Sequence, residues 1–363
     1  MLVCAPDHGI PGRVTRRTGS AVTLVVTARS ASASVTSVNH EPVVADLSEQ
    51  ELLARIFPLL PPGDATIVAP GDDAAVVRAG DGRFVVTTDV LVEDRHFRRA
   101  WSSGVDVGAR AAVQNLADVA AMGARPTSVV VALVLPRDLE VTWVEGFARG
   151  LEQVCAPLGV GVVGGDLSGG PLVVASVAAH GDLEGRAPVL RSGARPGDVV
   201  AHAGTLGRSA AGLALLAAGA AGPDDEALVA AYRRPVSPLA SGPEAARAGA
   251  TAMLDVSDGL LRDAGRLAAA SGVVVELDDP ARALHADHAA VVGVADRLGR
   301  DPWDWVLAGG EDHGLLATFP AGTDLPAGFR VLGRVREPHG EQPGVLVDGR
   351  RPTERPGWDH FAG

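Results

Sequence analysis

Acidic residues in this chain recur beside glycines and at the ends of apolar runs. Asp72 and Asp73 follow Gly71; Thr87, Thr88 and Asp89 close the run 84–86; Asp166 follows Gly164 and Gly165; Asp255, Ser257 and Asp258 precede Gly259; Glu311 and Asp312 follow Gly309 and Gly310. Oxygen donors gathered in turns are what a hard cation such as magnesium requires. Consecutive glycines let backbone amides approach a phosphate closely, and a helix opening at Gly259 would offer an anion its N-terminus. These spacings share one reading, a magnesium-polyphosphate site assembled from many segments. Singly, most have a plainer explanation: Gly-Asp-Asp is a common turn, Ser257 or Asp258 a helix cap, Gly164-Gly165 a glycine turn. Asp118 is harder to explain away. A carboxylate inside an alanine-rich helix costs helix propensity, and Asn115, three residues earlier, shares its face.

Composition narrows the chemistry further. All 32 basic residues are arginine, so the chain contains no lysine. A P-loop and a protein kinase each need a lysine on the phosphates, and Schiff-base chemistry needs one too. A net charge of −12 argues against nucleic acid or an anionic membrane as the main partner. Phosphate charge must then be met by something other than a basic surface. Cys4 and Cys155 lie too far apart in sequence to suggest a zinc site or a disulfide framework. No apolar run reaches the roughly 18 residues a membrane span needs. The 363 residues, 47% of them hydrophobic, suffice for two cores of ordinary size.

The elements that must carry these residues follow from periodicity and punctuation. Residues 1–44, rich in Ser, Thr, Ala and Val, read as a poorly ordered extension. Asp46, with Glu49 three residues on, is the expected cap of a first helix through Phe57. A strand is expected to end at Asp89. Asp106 is expected to cap a helix over 107–122 that carries Asn115 and Asp118. An apolar strand over 128–135 follows, then a helix with Thr142 and Glu145 as its capping box, then strands over 159–163 and 172–178 around the turn GGDLSGGP. The Gly/Arg/Pro stretch 185–197 marks a domain boundary, separating 45–184 from 185–363. Beyond it, strands at 198–203, 251–256, 273–277, 314–319, 329–335 and 345–347 alternate with helices at 209–218, 224–233 and after Gly259. Such alternation means an α/β or α+β layered fold.

The set GDDAAVV, TTDVLVEDRHF, NLADVAAMGARP, GGDLSGGP, RSGARPGD, DVSDGL, GGED and GWDHF, in order from about residue 46 to residue 361, resembles the thiamine-monophosphate kinase family, in the superfamily that includes aminoimidazole ribonucleotide synthetase. The resemblance implies a PurM-like fold: an N-terminal α/β domain whose mixed sheet pairs across a homodimer, and a C-terminal α/β domain. It implies transfer of the γ-phosphoryl group of ATP to thiamine monophosphate, in line and assisted by several Mg2+ ions, in cytoplasmic thiamine diphosphate biosynthesis. Neither nucleic acid nor membrane is implied as a partner. By the same resemblance Asp73, Thr87, Thr88, Asp89, Asp118, Asp166, Asp255 and Asp258 correspond to magnesium ligands, with Asp118, Asp166 and Asp258 at the catalytic centre. Gly165, Asp166, Arg191 and Ser257 correspond to nucleotide contacts, and His96, Glu311 and Trp358 to contacts with thiamine monophosphate. One departure stands out: the family usually continues GGED with Tyr-Glu, and here His313 and Gly314 follow. Because the acceptor is itself a phosphate, alignment and charge neutralisation suffice, with no strong general base. Aminoimidazole ribonucleotide synthetase is the nearest enzymatic alternative, and a magnesium-nucleotide binding module without turnover the alternative of another class.

Overall fold

The computed structural model describes residues 41–68, 75–340, 342–352 and 357. Asp72, Asp73, Trp358 and residues 1–40 of the expected extension lie outside the described residues. Pro42 to Val44, expected within that extension, are tied down: Val44 N donates to Leu139 O and Val141 N to Pro42 O.

The first half builds α1 (Glu49–Ile56), the short pair β1 (Thr66–Val68) and β2 (Val76–Val77), then β3 (Val85–Val92), α2 (Gly104–Ala121), β4 (Arg125–Leu135), α3 (Val141–Cys155), β5 (Gly161–Gly169) and β6 (Val174–Asp182). Its main sheet has the order β3-β6-β4-β5, antiparallel except for the parallel β4/β5 pair. The second half builds β7 (Val199–Ala203), α4 (Arg208–Ala218), α5 (Glu226–Arg233), α6 (Ser241–Arg247), β8 (Ala252–Val256), α7 (Leu260–Ser271), β9 (Val274–Leu277), α8 (Pro280–Ala283), α9 (His285–Leu298), α10 (Pro302–Ala308), β10 (Gly314–Phe319), β11 (Phe329–Arg336) and β12 (Gly344–Val347). These strands form a six-stranded mixed sheet in the order β12-β9-β11-β7-β10-β8.

The helix starts differ from the sequence expectation in an instructive way. Ser48, not Asp46, caps α1, with Glu51 as its reciprocal partner. Ser103 caps α2 one turn earlier than expected, and Asp106 is the returning half of that capping box. No side chain caps α3; its first residue Val141 is fully buried, and Glu145 instead pairs with Arg55 and Arg149. At the start of α7 neither Ser257 nor Asp258 caps. The N-cap is Gly259, at φ 114°, and its missing Cβ is what lets Ala308 O approach.

α2 is the central element. It packs on α3 and on β3, β4 and β6, and on its other side meets α5, α6, β8 and β10. Gly108 makes the α2/α3 contact possible, because a Cβ there would lie 2.0 Å from Phe147 O. The face of the first sheet that meets α2 is core, with Ala179, Val129 and Val162 in register behind Thr87. Alternation along β3 therefore sends Thr87, Asp89 and Leu91 toward α2 and leaves Val86, Thr88 and Val90 on the open face.

Candidate active site

An acidic wall forms where β3, α2 and β8 meet. Arg110, Gln114 and Asp118 fall four residues apart on α2 and so form one polar stripe on an otherwise apolar helix. Asp118 accepts a 2.7 Å hydrogen bond from Thr87 Oγ1. Asn115 fixes the strand beside it, accepting from Asp89 N at 2.9 Å while its own amide donates to Ala111 O. Asp255, at the end of β8, completes the wall. Burial, together with the charges of Asp255 and Asp89, pushes the Asp118 carboxyl up to about 6 despite the Thr87 hydrogen bond. The Asp89 carboxyl is also raised, by burial first and then by Asp255 and Glu311. The wall thus holds more negative charge than its own cations offset.

The loop between α10 and β10 faces this wall and shares charge with it. Glu311 Oε2 accepts from Arg110 Nη2 at 2.6 Å, and His313 Nδ1 lies 3.2 Å from Asp255 Oδ2 with Nε2 3.6 Å from Glu311 Oε2. Burial alone would lower the His313 imidazole, yet Asp255 and Glu311 push it up to about 10, so it is a cation here. Burial works against the Glu311 carboxylate too, but Arg110 and His313 hold it well below the usual range. Both residues have left-handed backbones, φ 71° at Glu311 and 52° at His313, a conformation that costs a side-chain-bearing residue about 1 kcal/mol or more. Two ladder-like bonds to the DVSDG segment hold them, Glu311 N to Ser257 O and His313 N to Val256 O. Gly310 allows this approach, since a Cβ would lie 2.3 Å from Ser257 O. The following Gly314 is equally constrained. A Cβ there would lie 2.4 Å from Nε2 of His202, a fully buried imidazole whose two nitrogens have no hydrogen-bond partner among the described residues. Burial, with Arg330 nearby, lowers that imidazole to about 3 and keeps it neutral.

Glu311 also lines a cleft of about 800 Å³ shared with His96, Arg98, Trp101, Tyr232 and Ser257. His96 Nδ1 accepts from Val92 N at 3.0 Å, which puts its ring proton on Nε2. Tyr232 is the hinge of this corner: its O accepts from Arg110, its hydroxyl donates to His96 O, and its ring lies 5.0 Å beneath the Arg110 guanidinium. The cleft carries both signs of charge on an aromatic wall, a lining suited to a planar zwitterion.

The expected site residues therefore divide. Thr87, Asp89, Asp118 and Asp255 come together, and His96, Glu311 and Ser257 line the adjoining cleft. Asp258 lies one turn along but its carboxylate is engaged by Arg266 at 2.6 Å. Thr88 is on the opposite face of β3, donating to Val177 O. GGD is no turn: β5 runs through it to Gly169, pairing Gly165 with Val131 and Asp166 with Ala132. Asp166 thereby shares a row with Ser176 and Val90 on the open face, away from Asp118. Arg191 is exposed, and its carbonyl accepts from Ser271 at the far end of α7 from Ser257. Asp73 and Trp358 lie outside the described residues; Gly357, the neighbour of Trp358, lines the cleft. Arg110, Gln114, Tyr232 and His313 escape motif reading, although the four-residue spacing of Arg110, Gln114 and Asp118 is a usable signal for the first two. Among the described residues no three His, Cys, Asp or Glu side chains converge tightly enough to hold a metal ion.

Known proteins match across this whole region. The family model described as AIR synthase related protein, N-terminal domain, matches residues 71–182, and its C-terminal counterpart residues 195–355. Thiamine-monophosphate kinase of Mycobacterium tuberculosis is 46% identical over 322 residues, covering 89% of this chain and 94% of the relative. That of Corynebacterium glutamicum is 41% identical over 334 residues, covering 90% and 97%. The solved structure of AaThiL complexed with AMPPCP and TMP superposes with a TM-score of 0.69 at 36% identity, covering 80% of this chain and 91% of that one. The matches take in both sheets and the wall between them, and the chain belongs to the thiamine-monophosphate kinase family.

Proposed function

We propose that the chain transfers the γ-phosphoryl group of ATP to thiamine monophosphate, giving thiamine diphosphate and ADP. The observation that carries this reading is the continuity of the acidic wall with the cleft. His313 lies against both Asp255 and Glu311, so a phosphate acceptor held in the cleft would present its phosphate next to the wall. The relatives support it by their names, and AaThiL by its complex with AMPPCP and TMP.

Although no three described acidic side chains converge on one point, magnesium is usually held by one or two carboxylates together with substrate phosphates, and Asp89, Asp118, Asp255 and Thr87 offer the hard oxygens for that, in net negative excess. When bound, it would supply neutralisation of the phosphate oxygens beside the wall, which the wall's own oxygen donors cannot supply. The protein's own part is positioning. Asn115 fixes Asp89, Arg110 and His313 fix Glu311, and Tyr232 fixes the backbone of His96. Asp166, Gly165 and Arg191 take no part in the wall, and their expected nucleotide role is tested by the ATP KM of Asp166→Asn.

Two organisational readings belong here as well. The open face of β3, with Val86 59% and Val90 44% exposed and Phe84 beside them, supports a homodimer joined through the first sheet. Sedimentation of the wild type against Val86→Asp tests it, and a monomeric wild type would refute it. Separate cores, one drawn almost wholly from residues 52–183 and the other from residues 194–345, support domains of 45–184 and 185–363.

The deciding experiment is incubation with ATP, thiamine monophosphate and magnesium, with chromatographic detection of thiamine diphosphate. Product formation is expected. ATP binding without product at high enzyme concentration would favour the non-catalytic module.

A further inference from the structure

α4 begins without a cap of its own. Its N-cap is Gly207, at φ 79°, which has no side chain to close the first turn. The closing group comes from more than a hundred residues away: Asp312 Oδ2 accepts from Gly207 N at 2.8 Å and Oδ1 from Ser209 N at 3.2 Å, with Thr205 Oγ1 3.4 Å from Oδ1. Asp312 is 4% exposed, so its carboxylate faces these donors rather than the cleft. A carboxylate at a helix N-terminus is both hydrogen-bonded and favoured by the helix dipole.

Asp312 also stands between the two left-handed residues of the loop. Glu311 and His313 flank it at φ 71° and 52°, and each reaches a different partner, Arg110 and Asp255. A chain with side chains at consecutive positions keeps two such conformations only where its surroundings over-determine them. Backbone bonds to Ser257 and Val256 hold the outer two residues, and the Asp312 carboxylate holds the middle. The same carboxylate ties the loop to α4, whose Ala210, Leu213 and Ala217 line the cleft.

We propose that Asp312 is a positioning residue: by closing the N-terminus of α4 in trans, it sets Glu311 against Arg110, His313 against Asp255, and the α4 wall of the cleft at once. This rests on the kinase reading for its activity readout but not for its structural one.

The test compares Asp312→Asn in the wild-type and Glu311→Gln backgrounds. Burial pushes the Asp312 carboxyl up to about 7, so Asp312→Asn removes an accepting oxygen from the cap rather than a full charge; in the wild type this is expected to lower kcat/KM for thiamine monophosphate about tenfold, with the ATP KM nearly unchanged. In Glu311→Gln the same change is expected to cost clearly less, about threefold, because one of the three groups it positions is already disabled while His313 and the α4 wall can still shift. An equal loss in both backgrounds means a general structural role and overturns the proposal, as does an unchanged kcat/KM. Thr205→Val, which removes a single donor, gives a smaller effect of the same pattern should Asp312→Asn fold poorly; a folded Thr205→Val whose loss is equal in both backgrounds overturns it too. If the wild type forms no thiamine diphosphate, the kinase reading fails separately. The positioning is then read from the His313 ring resonances, which shift in Asp312→Asn if the proposal holds and stay in place if it does not.

Discussion

Asp118 and Glu311 are two carboxylates of one site with opposite electrostatic fates. Asp118 sits on the wall among other carboxylates, and its carboxyl rises to about 6. Glu311 sits on the facing loop between Arg110 and His313, and is held below the usual range. The difference teaches where the protein supplies its own counter-charge and where it leaves that charge to be supplied. Without lysine, the chain spends Arg110 and an imidazolium on the loop, and the wall stays under-neutralised.

The comparison predicts that removing charge from the wall will harm chemistry and not folding. Asp118→Asn is expected to lower turnover by about 10² to 10³, as for other preorganised electrostatic groups, while its melting temperature at pH 8 stays at or above that of the wild type. A turnover within a few fold of wild type would mean that Asp118 is only a helix residue. On the loop the effect should run the other way. Arg110→Met leaves Glu311 without its closest cation and should cost about 3 kcal/mol, the low end for a buried pair because Glu311 is part-exposed; the midpoint of urea unfolding checks this. A midpoint equal to wild type would show that the loop does not depend on that pair.

The pH dependence sharpens the same contrast. In the metal-free protein the folded Asp118 carboxyl is raised from 3.8 to about 6, so the folded state binds a proton that the unfolded chain has released. Wild-type stability therefore falls, from this group, as pH rises between those values, and Asp118→Asn does not share the loss. The melting temperature of the variant relative to wild type should climb across that window and then level off. Magnesium at pH 8 should shrink the gap. A gap independent of pH would separate Asp118 from its neighbours' charges. The smallest effect is expected at Thr88→Val, on the open face of β3, with turnover within about twofold of wild type; a hundredfold loss would put Thr88 in the site despite its orientation.

Much of this site is legible in the sequence, and the exceptions share a cause. Asp118 stands out because a carboxylate in an alanine-rich helix needs a reason, and the structure gives Thr87 as one. Asp255 stands near the end of β8, as its position before DG suggests, whereas the strand expected to end at Asp89 runs on to Val92, because pairing with β6 continues through it. Thr88 and Asp166 stand on the open face of the first sheet, which the sequence does not foretell, because a strand alternates faces and nothing local says which face α2 covers. GGD reads as a turn since glycines usually make turns, but pairing with β4 satisfies its backbone and extends β5 through it. His313 is invisible as a site residue because its partner Asp255 is 58 residues away and on another strand.

Gly314 and His202 make one further point, about the paths open to this chain in evolution. The family's usual glutamate at position 314 would have to occupy space already taken by the His202 ring, since even a Cβ meets Nε2 at 2.4 Å. Reversion at 314 alone is therefore blocked, and a smaller residue at 202 would not be enough, because the Cβ would still lie 2.7 Å from Ala203 O. Part of the two-residue departure after GGED is thus tied to a ring and a carbonyl more than a hundred residues upstream.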